Sequence, residues 1–229
     1  MELNADFSKR VLIHSDDLPW SPSPMAGVHR RMLDRIGDEV ARATSIVRYA
    51  PGSHFSPHVH AGGEEFVVLE GVFQDEHGDY PVGAYVRNPP TSSHTPGASE
   101  GCVIFVKLWQ FDADDRTPVR TDLNDGLKST SEGVKARVLF EDARETVCVE
   151  EWDVDTVVCR SMPEGAELLV LEGELFENED VLKTRSWLRI PMGGALNAKA
   201  GDEGARVWIK TRHLRFTAPP ATSIESAID

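Results

Sequence analysis

The stretch VVLEG, closed by Gly71, returns as LVLEG, closed by Gly173, 102 positions later. Pro89 in RNPPTSSH matches Pro191 in RIPMGGAL at the same offset, and Phe105-Val106-Lys107-Leu108 recurs as Trp208-Ile209-Lys210-Thr211 one residue further on. A repeat of this length is a whole domain, so the chain reads as two copies of one fold. The copies are built from short β-rich runs: VHRRMLDRIG from Val28, VARATSIVRY from Val40, FVVLEGVF from Phe66, GAYVRNP from Gly83 and CVIFVKLWQF from Cys102. Gly and Pro turns separate them, and none carries a helical period. That pattern predicts an all-β sandwich or barrel.

Composition narrows the partners. A formal charge of −14 argues against nucleic-acid phosphate or an anionic membrane surface. No apolar run approaches the ~20 residues of a membrane span, and the first residues, MELNAD, lack the basic and apolar regions of a signal peptide. Cys102, Cys148 and Cys159 form neither a C-x-x-C pair nor an even-numbered framework, which fits a reduced cytoplasm.

The chemistry concentrates in GSHFSPHVHAGGEEFVVLEG, Gly52 to Gly71. Residues i and i+2 of a strand share a face, so His58 and His60 can converge on one point. The Ala61-Gly62-Gly63 turn lets the chain double back and bring Glu64 to it. Two imidazoles and a carboxylate are half of a site for a borderline divalent metal. The bland alternative is a surface strand with two solvated histidines. His77, in the turn DEHGD, reads as solvated. Glu65 alternates with Glu64 and is either an acceptor for a ligand imidazole or a solvent-facing residue. Phe66, Val68, Phe105 and Lys107 are candidates for a pocket wall, with plain core as the alternative for the apolar three and a structural role for Lys107.

These segments resemble the two motifs of the cupin superfamily, G-x5-H-x-H-x3-E-x6-G and G-x5-P-x-G-x2-H-x3-N. Gly52, His58, His60, Glu64 and Gly71 complete the first; Gly83, Pro89 and His94 carry the second, with Thr91 in place of its glycine and no terminal Asn. From about Ser53 to Lys107 the chain is most similar to the ChrR type, named for the cupin half of a zinc anti-sigma factor. The resemblance implies an all-β double-stranded β-helix, the cupin jelly roll, in two tandem copies (a bicupin). It implies metal ligands at His58, His60, Glu64 and His94, and usually zinc. Fe²⁺, Mn²⁺, Ni²⁺ and Cu²⁺ suit the same donors.

The expected organisation is an irregular arm over 1–26, a metal-binding cupin over 27–111, a linker over 112–132, a degenerate cupin over 133–216 and a flexible tail over 217–229. At the 102-residue offset Arg160, Met162, Ala166 and Leu196 replace the four ligands, so one divalent metal per chain is expected. The resemblance implies a zinc-dependent regulatory or stress sensor. Related cupins also include iron dioxygenases that cleave diketones or hydroxylated ketones, which leaves a metal-dependent dioxygenase or isomerase as the alternative. The helical domain with which the anti-sigma factor captures its sigma factor has no counterpart before residue 27, so sigma-factor binding is not expected. A homodimer and a small-molecule ligand in the first cupin are.

Overall fold

The computed structural model describes residues 1–38 and 40–218. Among these the regular structure is β-strand apart from two 3-10 turns, Ser15–Asp17 and His213–Arg215. Among the described residues no helix is long and apolar enough to cross a membrane. The tail expected over 217–229 lies, from residue 219 on, outside the described residues.

Two antiparallel sheets account for almost every strand. The first runs Glu2–Leu3, Val28–Gly37, Ala41–Tyr49, Cys102–Leu108, Glu64–Asp75, Ala84–Asn88, Val119–Asp122. The second runs Lys128–Ser131, Val134–Glu141, Thr146–Trp152, Gly194–Thr211, Ala166–Glu177, Ser186–Ile190, Val11–His14. Corresponding strands sit in corresponding places, and Glu64–Asp75 and Ala166–Glu177 differ by the 102 residues of the repeat. The central strand Cys102–Leu108 is rich in β-branched and aromatic residues, Val103, Ile104, Phe105 and Val106, which suits a pleated surface packed on both faces.

The segments expected as an irregular arm and a linker both contain paired strands, Glu2–Leu3 and Lys128–Ser131 among them, and two others cross between the halves. Val11–His14, ahead of the first copy, pairs with Ser186–Ile190 of the second; Val119–Asp122, ahead of the second copy, pairs with Ala84–Asn88 of the first. Each copy lends an edge strand to the other. Both segments are only four residues long, and their partners lie far away in sequence, so local pattern could not reveal them.

Three apolar clusters result. Val28, Val47, Phe66, Val68, Phe73, Ile104 and Val106 are among those filling the inside of the first half, and Met162, Ala166, Leu168 and Leu196 are among those filling the second. The third cluster lies between the halves, where Val67, Tyr85, Val103 and Phe105 meet Val147, Leu169, Trp187 and Trp208. Phe105 and Trp208, equivalent positions of the repeat, meet edge to face at 5.1 Å.

Charges bury themselves in this interface in the same reciprocal way. Lys107 stands opposite Glu65 and Thr44 in its own sheet; it donates to Thr44 Oγ1 there and reaches across to Glu167. Lys210 stands opposite Glu167 and reaches across to Glu65, at 2.5 Å, while also pairing with Glu145 of its own half, at 2.8 Å. Removing one member of a buried pair strands the other charge, at a cost of about 3–5 kcal/mol, whereas replacing both by apolar groups is often neutral. Lys107→Met is therefore expected to lower unfolding stability by about that amount, and Lys107→Met with Glu167→Leu to recover much of it. Denaturant unfolding measures both.

Candidate metal centre

The site begins with a short ladder. His58–Val59 pairs antiparallel with Ser93–His94, placing His58 directly opposite His94. Two further backbone bonds, His60 N to Ser92 O and Thr91 N to His60 O, tie the neighbouring turn to the same segment. Glu64 opens the next long strand, opposite Asn88 and Leu108. The reversal between His60 and Glu64 depends on its glycines. A Cβ on Gly62 would fall inside the ring of Trp109, and one on Gly63, which has φ +78°, inside the ring of Phe111.

The geometry that follows is compact. One nitrogen from each of His58, His60 and His94 lies within 4.8 Å of the others, so the three form a group able to hold a metal ion. Their ring centroids are 4.9, 5.0 and 4.6 Å apart. Glu64 Oε2 lies 3.5 Å from His60 Nε2 and 3.6 Å from His94 Nε2. Both Nε2 atoms are buried and have no hydrogen-bond partner. An orphaned buried polar atom is costly, and two of them aimed at one carboxylate oxygen fit a cation between them.

Burial keeps His60 and His94 in the ligating form. Burial, and then the neighbouring His58, push His60 down to about 4. Burial likewise lowers His94, against the pull of Glu64. Glu64 is raised by burial, with His94 and the Asn88 amide opposing. The Tyr49 phenol, held up by burial and by the Glu64 charge, stays protonated beside the site.

Of the four residues considered as a pocket wall, two lie on the side of Glu64. Phe66 and Val68 share its face and are packed into the interior, where Phe66 touches Phe73 at a centroid distance of 4.7 Å. Phe105 and Lys107 do not belong there. Cross-strand partners share a face, and Phe105 stands opposite Val67 and Lys107 opposite Glu65, so both turn toward the second half. Glu65 is likewise neither a ligand's acceptor nor solvent-facing: it is buried, holding the Tyr85 hydroxyl at 2.7 Å and Lys210. His77 is exposed, as its turn position suggested.

Sequence reasoning missed Asn88, whose amide donates to Glu64 at 3.2 Å, and Asp75, whose carboxylate lies 3.3 Å from His94 Nδ1. Asn88 directly precedes the motif proline. Asp75 was hidden by a bulge. Counting by twos from Glu64 sends residue 75 outward, but Val103 faces Glu70 while Ile104 faces Val68, leaving Leu69 unpaired. The extra residue reverses the alternation, and Phe73 and Asp75 return to the inside.

In the second half the equivalents of the ligands are elsewhere engaged. Arg160 stands opposite Leu196 as His58 stands opposite His94, and its guanidinium pairs with Glu150 at 2.6 Å. Met162, Ala166 and Leu196 are buried in the apolar interior.

Two substitutions test the local backbone. Gly62→Ala is expected to cost about 1–3 kcal/mol through overpacking against Trp109, and less in a Trp109→Ala background. Thr91 has φ 74°, a left-handed conformation that a β-branched residue adopts under strain. Thr91→Gly, which places there the glycine of the cupin motif, is expected to raise stability by about 1 kcal/mol. Thermal or denaturant unfolding reads both.

Comparison with known proteins agrees with this arrangement. Residues 8–112 match the family model described as the ChrR cupin-like domain. No curated protein matches the sequence. Among solved structures, a putative dioxygenase from Nostoc punctiforme is similar at 14% identity and a TM-score of 0.72, over 90% of this chain and 84% of that one. A bacterial pirin from Escherichia coli in complex with nickel(II) is similar at 17% identity and 0.66, over 89% and 98%. A mutant oxalate decarboxylase from Bacillus subtilis is similar at 12% and 0.62, over 88% and 76%. At these identities the likeness is one of fold.

Proposed function

Residues 8–112 belong to the ChrR cupin-like domain family, and from that premise we propose that this bicupin is a zinc-dependent regulatory module holding one ion per chain. His58, His60, His94 and Glu64 are its ligands. The observation that carries the reading is the pair of buried, unpartnered Nε2 atoms of His60 and His94 converging on Glu64 Oε2. Three imidazoles and a carboxylate fill a tetrahedral zinc ion, and a filled site is structural or sensory. When bound, the metal supplies a fixed positive charge that links three separate segments of chain. The protein's own part is to keep His60 and His94 neutral by burial and to hold Glu64 through Asn88. Occupancy would then be read out as the order of the turn between His60 and Glu64 and of the segment ending in His94.

A second reading, a metal-dependent dioxygenase of small diketones or hydroxylated ketones, draws on one further feature. His58 borders a depression of about 400 Å³ lined by Met25, Ala26, His54, Phe55, Ser56 and Pro57. A six-coordinate ion on the same ligands has room for a small oxygenated molecule arriving from that side.

Elemental analysis of protein purified without added metal is expected to give one zinc per chain. His94→Ala should abolish retention, and Glu64→Gln should weaken it by about 10–100-fold, the usual cost of disturbing a metal's ligand set. Two tightly held ions per chain would contradict the reading of the second half. The dioxygenase reading gains if the Glu64→Gln protein keeps its metal while the iron-loaded wild type consumes oxygen with a diketone. It fails if iron-, manganese- and nickel-loaded forms consume none.

A further inference from the structure

Asp75 has no role in the ligand set, yet its side chain is fully buried beside it. Its Oδ2 lies 3.3 Å from His94 Nδ1. Its Oδ1 accepts the Tyr80 hydroxyl at 3.1 Å and the backbone N–H of His77 at 2.8 Å. Tyr80 in turn accepts a hydrogen bond from Arg120 Nε at 2.9 Å. Arg120 sits on Val119–Asp122, the strand that the segment between the halves lends to the first sheet. A continuous chain of hydrogen bonds therefore runs from Arg120 through Tyr80 and Asp75 to His94.

We propose that Asp75 is a positioning residue that fixes the tautomer of His94, with Tyr80 and Arg120 holding the carboxylate in place. This rests on the metal-binding reading of the site. A carboxylate only accepts, so the proton of the neutral His94 imidazole belongs on Nδ1. Nε2 is then left with its lone pair, buried and aimed at Glu64 Oε2, 3.6 Å away. Two acceptors facing each other repel unless a cation or a proton lies between them. Asp75 thus commits His94 to metal binding before any metal arrives, and raises the basicity of the ligating nitrogen as carboxylate partners of metal histidines do. Phe73, whose ring centroid is 5.7 Å from that of His94, confines the ring from the side.

The bulge at Leu69 supports a directed placement. Without it the strand would carry Asp75 to the other face. The second half has the same bulge, with Leu171 unpaired between Val170 and Glu172, and there the counterpart of Asp75 is Glu177. That carboxylate, freed from any histidine, pairs with Arg10. The bulge is present in both copies, and only the copy with the candidate ligand histidines directs this acid at one of them.

The test uses the full chain in two measurements. Long-range ¹H–¹⁵N correlation spectra of the metal-free protein, with His94→Gln to assign the signals, are expected to place the His94 proton on Nδ1. Asp75→Ala should move it wholly or partly to Nε2. Zinc affinity, measured by competition with a chelator, should fall about 10–100-fold in Asp75→Ala, and by less in Asp75→Asn and Tyr80→Phe. The near-isosteric Asn variant guards against loss of fold. The proposal is overturned if the wild-type proton sits on Nε2, or if folded Asp75→Ala and Asp75→Asn keep both the wild-type tautomer and the wild-type affinity. A wild type that binds no zinc removes the metal-binding reading, while the spectra still decide what Asp75 does to His94.

Discussion

Neighbouring residues of a β-strand face opposite ways, and the first half of this protein is organised by a strand that uses both faces. From Glu64 onward, Glu64, Phe66 and Val68 turn inward to the candidate metal centre and its apolar floor, while Glu65 and Val67 turn outward to the second half. One strand thus sets the position of a ligand and the position of the interface charge beside it. A slip of one residue would put Glu65 among the histidines and Glu64 against Lys210, so the register is under constraint from both sides. The buried lysine–glutamate pairs and the Phe105–Trp208 contact oppose such a slip from outside the site. The lent edge strands bind the halves further, and one of them carries Arg120 into the support of His94.

The repeat explains why the two halves differ in chemistry on nearly the same backbone. The pairing of His58 with His94 survives as Arg160 with Leu196, and the bulge survives as Leu171. What changed is the lining. Leu196, Ala166 and Met162 close the second interior with apolar groups, and Arg160 turns to Glu150. The second half is best understood as the wall against which the first is built: it receives Lys107 and supplies Lys210 and Trp208 to the shared interface.

Much of this was legible in the sequence. The all-β class, the repeat and its offset, and the residues that converge at the centre follow from spacing that is local in the chain: His58, His60 and Glu64 within seven residues, with His94 carried by a Gly- and Pro-marked second segment. What was not legible depended on pairing between distant strands. Phe105 and Lys107 share one face of an alternating strand, which makes them candidates for a pocket wall or for core, and which of the strand's faces meets Glu64 is set by register. Asp75 was invisible because a single unpaired leucine reversed the count. The strand Val11–His14 and the strand Val119–Asp122 have partners more than thirty residues away, and at four residues each they are too short to announce them. Thr91, read as a departure from a motif, proved to take the left-handed backbone for which that motif uses glycine.

The central claim is that three imidazoles and one carboxylate of the first half surround a single ion. X-ray absorption spectroscopy of the zinc-loaded protein addresses it directly, since it reports the number, type and distance of the donors. The account predicts nitrogen and oxygen donors only, at about 2.0–2.2 Å, with the outer-shell scattering pattern of about three imidazoles. A sulfur donor near about 2.3 Å, or a spectrum with the scattering of a single imidazole, would contradict it.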